Sequence, residues 1–177
     1  MSRLIWMNGK LIPETEAKIS VYDSALMFGD MVFEMTRSFN KKQFKLREHL
    51  NRLYYGLKIL RIPLEMTIDE MEKYCYETIE ANDHLFGPDD EHRLMIDVSR
   101  GALGIYQRIE GLHKGPNVVI ADFPLRWTVS GMGHLFDKGL HVLHREHHKR
   151  PAFVAHQHKT RTRFQTHFFT NFLGNHN

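Results

Sequence analysis

The chain has 177 residues, 42% of them apolar, 11% aromatic and 25% charged, with a formal net charge of +3. This is enough apolar material for one good core and excludes a disordered polymer. The single cysteine, Cys75, excludes a disulfide framework and a multi-cysteine metal site. No apolar run approaches the roughly 20 residues of a membrane-spanning helix, and the opening MSRLIWMNGK lacks an apolar signal region. A cytoplasmic chain with no membrane partner is expected. The small net charge gives no reason to expect a nucleic-acid partner. Its distribution is uneven: from Arg126 onward there are 8 Lys+Arg against 2 Asp+Glu, and 9 of the 13 histidines lie at or beyond His134.

In chain order, Leu4–Met7, the turn Asn8-Gly9 and Lys10–Ile12 predict a short hairpin, because Asn-Gly supplies the positive φ angles of a type I′ turn. Lys18–Tyr22 reads as another extended piece. Asp23 is placed to cap a helical turn over Ser24–Phe28, which Gly29-Asp30 ends. Met31–Phe39 predicts a strand, Asn40–Lys42 a turn, and Gln43–Leu46 its returning partner. Leu46, Leu50, Leu53, Leu57 and Leu60 form an apolar stripe that predicts a helix over Arg47–Leu60, stopped by Pro63. Thr67 and Glu70 form a capping box opening the next helix, with Ile68, Met71, Cys75 and Ile79 on its inner face.

His92–Ser99 and Asn117–Phe123 predict strands, separated by the Gly-containing loop 101–115. Gly131-Met132-Gly133 reads as a linker, and Gly139–His144 as a further strand. The pattern is α+β, with a boundary placed between domain 1–124, linker 125–133 and segment 134–177.

The late histidines His144, His147, His148, His156 and His158 lack the ordered spacing of a zinc site, and no metal site is expected. There is no P-loop, GxGxxG or GxSxG. Lys159, in HQHKTRTRF, has two readings: a basic surface stretch, or a Schiff-base lysine. The second requires a lowered pKa, for which Arg161 and Arg163 supply positive charge and Phe153 and Phe164 apolar cover. Arg52 flanks the leucine stripe and reads either as a snorkelling side chain or as a guanidinium reaching a phosphate.

Three stretches, IWMNGKLIP, ISVYDSALMFGDMVFEMTRSF and FKLREHLNRLYYGLKIL, carry a resemblance in order and spacing. They resemble the N-terminal domain of the fold-type IV pyridoxal-phosphate enzymes, the class-IV aminotransferases. That family includes branched-chain and D-amino acid aminotransferases and aminodeoxychorismate lyases. The resemblance covers about residues 4–60 and resumes at strand 92–100 and around Lys159. It implies a mixed sheet with two adjacent helices, followed by the beginning of a second, incomplete domain, so that the chain looks like a truncated version of a longer enzyme. It further implies pyridoxal 5'-phosphate as cofactor, held between domains of a homodimer.

By the same resemblance, Arg52 of His49-Leu50-Asn51-Arg52-Leu53 binds the cofactor phosphate. Lys159 forms the internal aldimine and shuttles the α-proton while an amino group passes from a small α-amino acid to a 2-oxo acid. Phe28, Arg37 and Arg93 would face the substrate, the two arginines toward a carboxylate; their alternative reading is a strand-edge ion pair. Phe28 and Phe164 replace tyrosines found in relatives, and Glu91-His92-Arg93 replaces the Tyr-x-Arg of branched-chain enzymes. An aminodeoxychorismate-type lyase, or a non-catalytic remnant that dimerises or binds metal, are the alternatives.

Overall fold

The computed structural model describes residues 2–139 of the chain. Six strands, β1 (Leu4–Met7), β2 (Lys10–Pro13), β3 (Met31–Phe39), β4 (Lys42–Gln43), β5 (His92–Ser99) and β6 (Asn117–Pro124), form one sheet in the order β2-β1-β6-β5-β3-β4. Four α-helices accompany it: α1 (Ser24–Phe28), α2 (Leu46–Leu60), α3 (Ile68–Asn82) and α4 (Leu125–Lys138).

The α+β class holds, with the two adjacent helices in place. Within it the expected mixed sheet is corrected: every strand pair is antiparallel. The reason lies in the connection between β3 and β5. One crossover helix would deliver a parallel strand, but here two helices in succession return the chain to the end of β3 from which it departed. Arg37 therefore pairs with Arg93, and Met31 with Ser99.

The first hairpin is built as its turn residues require, with Asn8 at φ 49° and Gly9 at φ 94°. Asp23 caps α1 by accepting from the Ala25 amide at 2.7 Å, and Gly29 closes it in the left-handed region. The Thr67–Glu70 capping box is complete in both directions.

Helices α2 and α3 cover one face of the sheet. Leu50, Leu53 and Met71 are fully buried there against Leu94, Ile96 and Ile120. Cys75 is in this core, where burial pushes its thiol up and keeps it protonated. The inner face of α3 is more polar than expected: Thr78 and Asn82 are buried, while Ile68 and Ile79 are only partly so. The Asn82 amide explains this, since it accepts from the Leu4 amide and donates to the Leu4 carbonyl, both at 2.8 Å, docking the end of α3 on β1.

Two local expectations are corrected. Lys18–Tyr22 finds no strand partner, and extended pairing there is confined to a bridge between Asp23 and Ala102. Gln43–Leu46 contributes only Gln43 to a ladder, because Lys45 turns to φ 51° and Leu46 begins α2. The interdomain linker proposed at 125–133 is helical, within α4, with Trp127 stacked on Phe123 and Arg126 paired with Asp90. The strand expected at Gly139–His144 falls outside the described residues except for Gly139. Between β5 and β6 the loop is pinched at its base: a Cβ on Gly101 (φ 77°) would lie 1.9 Å from the Gly115 carbonyl oxygen.

Candidate functional site

Alternation along β3 sends Val32, Glu34, Thr36 and Ser38 to the helix-covered face and Phe33, Met35 and Arg37 to the opposite one. A glutamate at position 34 is thus delivered into the interface with α2. Its side chain is 1% exposed. An unpaired carboxylate there would cost several kcal/mol, roughly, in lost hydration. Instead α2 presents His49 and Arg52, three residues apart and hence on one helical face.

Arg52 donates from Nε to Glu34 Oε1 at 2.5 Å and from Nη2 to Oε2 at 2.7 Å. His49 Nδ1 lies 2.8 Å from Oε2 and 3.5 Å from Arg52 Nη2. The hydrogen bond from Arg52 to Glu34 outweighs burial and holds the guanidinium more firmly charged than a free one. That side chain remains 43% exposed, so the cluster has a buried negative end and a solvent-facing positive end.

Arg37 and Arg93 are directly opposed across β3 and β5. Like charges in that position repel. Arg37 lies over the Phe39 ring, 4.1 Å from its centroid, and donates from Nε to the Ser38 carbonyl at 3.2 Å. Arg93 is half-buried, its Nε 2.8 Å from Met35 Sδ, and burial lowers its pKa. Neither arginine forms a close ion pair among the described residues, although the charge of Arg37 helps hold the Glu91 carboxyl down. This pair of guanidiniums is suited to an anion.

Phe28 ends α1 and is 56% exposed. It precedes the Met31 end of β3, whereas Arg37 lies near the other end of that strand. Within the described residues, then, Arg37 and Arg93 come together, and Arg52 is anchored to Glu34 on the other face of the sheet. Lys159 and Phe164 lie outside the described residues.

Several structuring residues escape sequence reasoning. Glu91 is absorbed by the β3–β4 turn. It accepts from the Ser38 hydroxyl and from the amides of Asn40 (2.7 Å) and Lys41 (3.3 Å), which sit at φ 51° and 62°. Burial works against its charge, yet these donors hold its carboxyl below the usual range. Arg100 pairs with Asp30 and donates to the carbonyls of Leu60 (2.6 Å) and Arg61 (2.7 Å), capping the C-terminus of α2.

The family profile described as amino-transferase class IV matches residues 31–169. The chain is similar to the branched-chain-amino-acid aminotransferase of Escherichia coli strain K12, with 37% identity over 82 residues, 44% of this chain and 26% of that protein. Among solved structures it resembles the branched-chain aminotransferase of Thermoproteus uzoniensis with norvaline. That match has a TM-score of 0.58 and 30% identity and covers 70% of this chain and 41% of that one. It also resembles the T.th. branched-chain amino acid aminotransferase complexed with N-(5'-phosphopyridoxyl)-L-glutamate. There the TM-score is 0.54 at 30% identity, covering 67% of this chain and 39% of the other. The chain spans about two fifths or less of the length of these relatives.

Proposed function

The chain belongs to the class-IV amino-transferase family, and from that premise we propose that it serves pyridoxal-5'-phosphate-dependent amino transfer. The donor is a small α-amino acid, of branched-chain type as the first choice, and the acceptor is a 2-oxo acid. Arg52 grips the cofactor phosphate, and Lys159 holds the cofactor and moves the proton at the substrate α-carbon. When bound, pyridoxal 5'-phosphate supplies the electron sink that makes that proton removable.

The observation that carries this reading is the Arg52 guanidinium. Two of its nitrogens are fixed by Glu34, while Nη1 makes no hydrogen bond among the described residues. A charged, half-exposed fork with a free edge fits a phosphate. Arg37 and Arg93 form a second cationic pair, suited to an anion; their assignment to a substrate carboxylate rests on the family resemblance, since the Glu34 anchor of Arg52 is on the other face of the sheet. The reading extends to a homodimer, with the cofactor between domain 1–124 and segment 134–177, and to a cytoplasmic setting.

Borohydride trapping after addition of pyridoxal 5'-phosphate, followed by peptide mass analysis, tests the proposal. Label on Lys159, lost in Lys159→Ala, supports it; label spread over surface lysines overturns it. An amino-donor panel then distinguishes formation of a 2-oxo acid from pyruvate release, the latter assigning lyase chemistry instead.

A further inference from the structure

We infer that Glu34 is the positioning residue of the Arg52 anion grip: a buried carboxylate that fixes which edge of the guanidinium meets the cofactor phosphate. The inference rests on the reading of Arg52 proposed above and names the residue through which that grip is oriented.

Three observations carry it. The first is an asymmetry of exposure, 1% for Glu34 against 43% for Arg52. A surface ion pair would expose both partners and a core pair would bury both. The second is the break in pattern: positions 32 and 36 on the same face of β3 are buried Val and Thr, and the strand gains nothing in sheet packing from a carboxylate between them. The third is geometry. Glu34 takes Nε and Nη2 together, at 2.5 and 2.7 Å, so the planar fork cannot swivel and Nη1 is its outward edge. His49, sharing Oε2 at 2.8 Å, is a further partner that secures the carboxylate beside the guanidinium. A guanidinium arranged in this way meets an anion with its orientation already set, which raises affinity without adding a contact.

The test compares wild type, Glu34→Gln and Arg52→Gln in the 177-residue chain, titrated with pyridoxal 5'-phosphate and with pyridoxal. Glu34→Gln keeps the shape of the side chain but turns one acceptor into a donor facing Arg52 Nη2. It should weaken the phosphorylated ligand about tenfold while changing pyridoxal less than about twofold. A purely structural role would weaken both ligands alike. In the ligand-free protein, the Nε–Hε signal of Arg52 in a ¹⁵N-correlated NMR spectrum should be protected from solvent exchange in wild type and lose that protection in Glu34→Gln.

If Arg52→Gln removes the preference for phosphate and Glu34→Gln leaves both the preference and the Nε–Hε protection intact, the inference about Glu34 falls and the Arg52 reading stands. If Arg52→Gln leaves the preference unchanged, or wild type binds neither ligand, the Arg52 reading falls and takes the Glu34 inference with it.

Discussion

Two carboxylates are sealed beneath the helices on the same face of the sheet, Glu34 at 1% exposure and Asp122 at 0%, and each has a histidine nitrogen at 2.8 Å. They differ in where the positive charge ends. From Glu34 the charge runs outward through Arg52 to solvent. From Asp122 it stops at the imidazole of His92, itself 1% exposed, whose far nitrogen lies 3.2 Å from Asp83 and whose ring stacks on Phe86 at 4.0 Å. The first arrangement leaves a cation at the surface, where the proposed function places a phosphate; the second uses one internally, to join β5, β6 and the turn after α3. A buried acid with a histidine is therefore not diagnostic of a site, and the exposure of the last cation in the cluster is the discriminating feature.

The comparison is broken most severely by Asp122→Ala. Removing the sealed partner should cost about 3 kcal/mol in denaturant unfolding, at the lower end for a broken buried pair because His92 can shed its proton. A loss no larger than about 0.5 kcal/mol, the scale of an ordinary surface substitution, would mean that the cluster is not holding the sheet.

A smaller effect is expected from pH. Burial opposes the charged imidazole of His92, but the hydrogen bond and charge of Asp122 outweigh it and the pKa rises. Burial likewise raises Asp122 against the pull of His92, so the pair keeps its proton to higher pH. A group whose pKa is raised by folding adds stability below its unfolded value, about 6.5 for histidine, and loses it as pH climbs through the folded one. Stability should thus fall on the alkaline side of that value, by at most about 1.4 kcal/mol per pH unit for one proton. His92→Gln should flatten the dependence.

The smallest change is expected from Asp83→Asn. That carboxylate is 61% exposed, and its loss should cost no more than about 0.5 kcal/mol by the same unfolding assay. A cost equal to that of Asp122→Ala would erase the distinction between inner and outer acid.

Much of the fold is legible in the residues because its signals are local. The leucine stripe of α2, the Thr67–Glu70 box and the Asn8-Gly9 turn each act over a few positions, and each is found where the pattern puts it. The site is legible only in part. Arg52 is marked by its motif, but its anchor lies 18 residues away on a strand whose alternation does not say which glutamate will meet which arginine. Glu91 is likewise recruited across 50 residues by a turn with two left-handed residues. The helix over 125–138 is obscured by Gly131 and Gly133, each roughly 1 kcal/mol poorer than alanine in a helix. Contacts made outside the local sequence, Trp127 with Arg3 and Arg126 with Asp90, sustain it nonetheless.

The close approach of Gly101 to Gly115 has a consequence for how this fold can diversify. The excursion between β5 and β6 is tied off at its neck, and its outer arc leans on the segment before α1 through Tyr106 stacked on Tyr22. A single methyl at position 101 would prise its two legs apart, while Gly104 and Gly111, farther out on the loop, have open space where a side chain would stand.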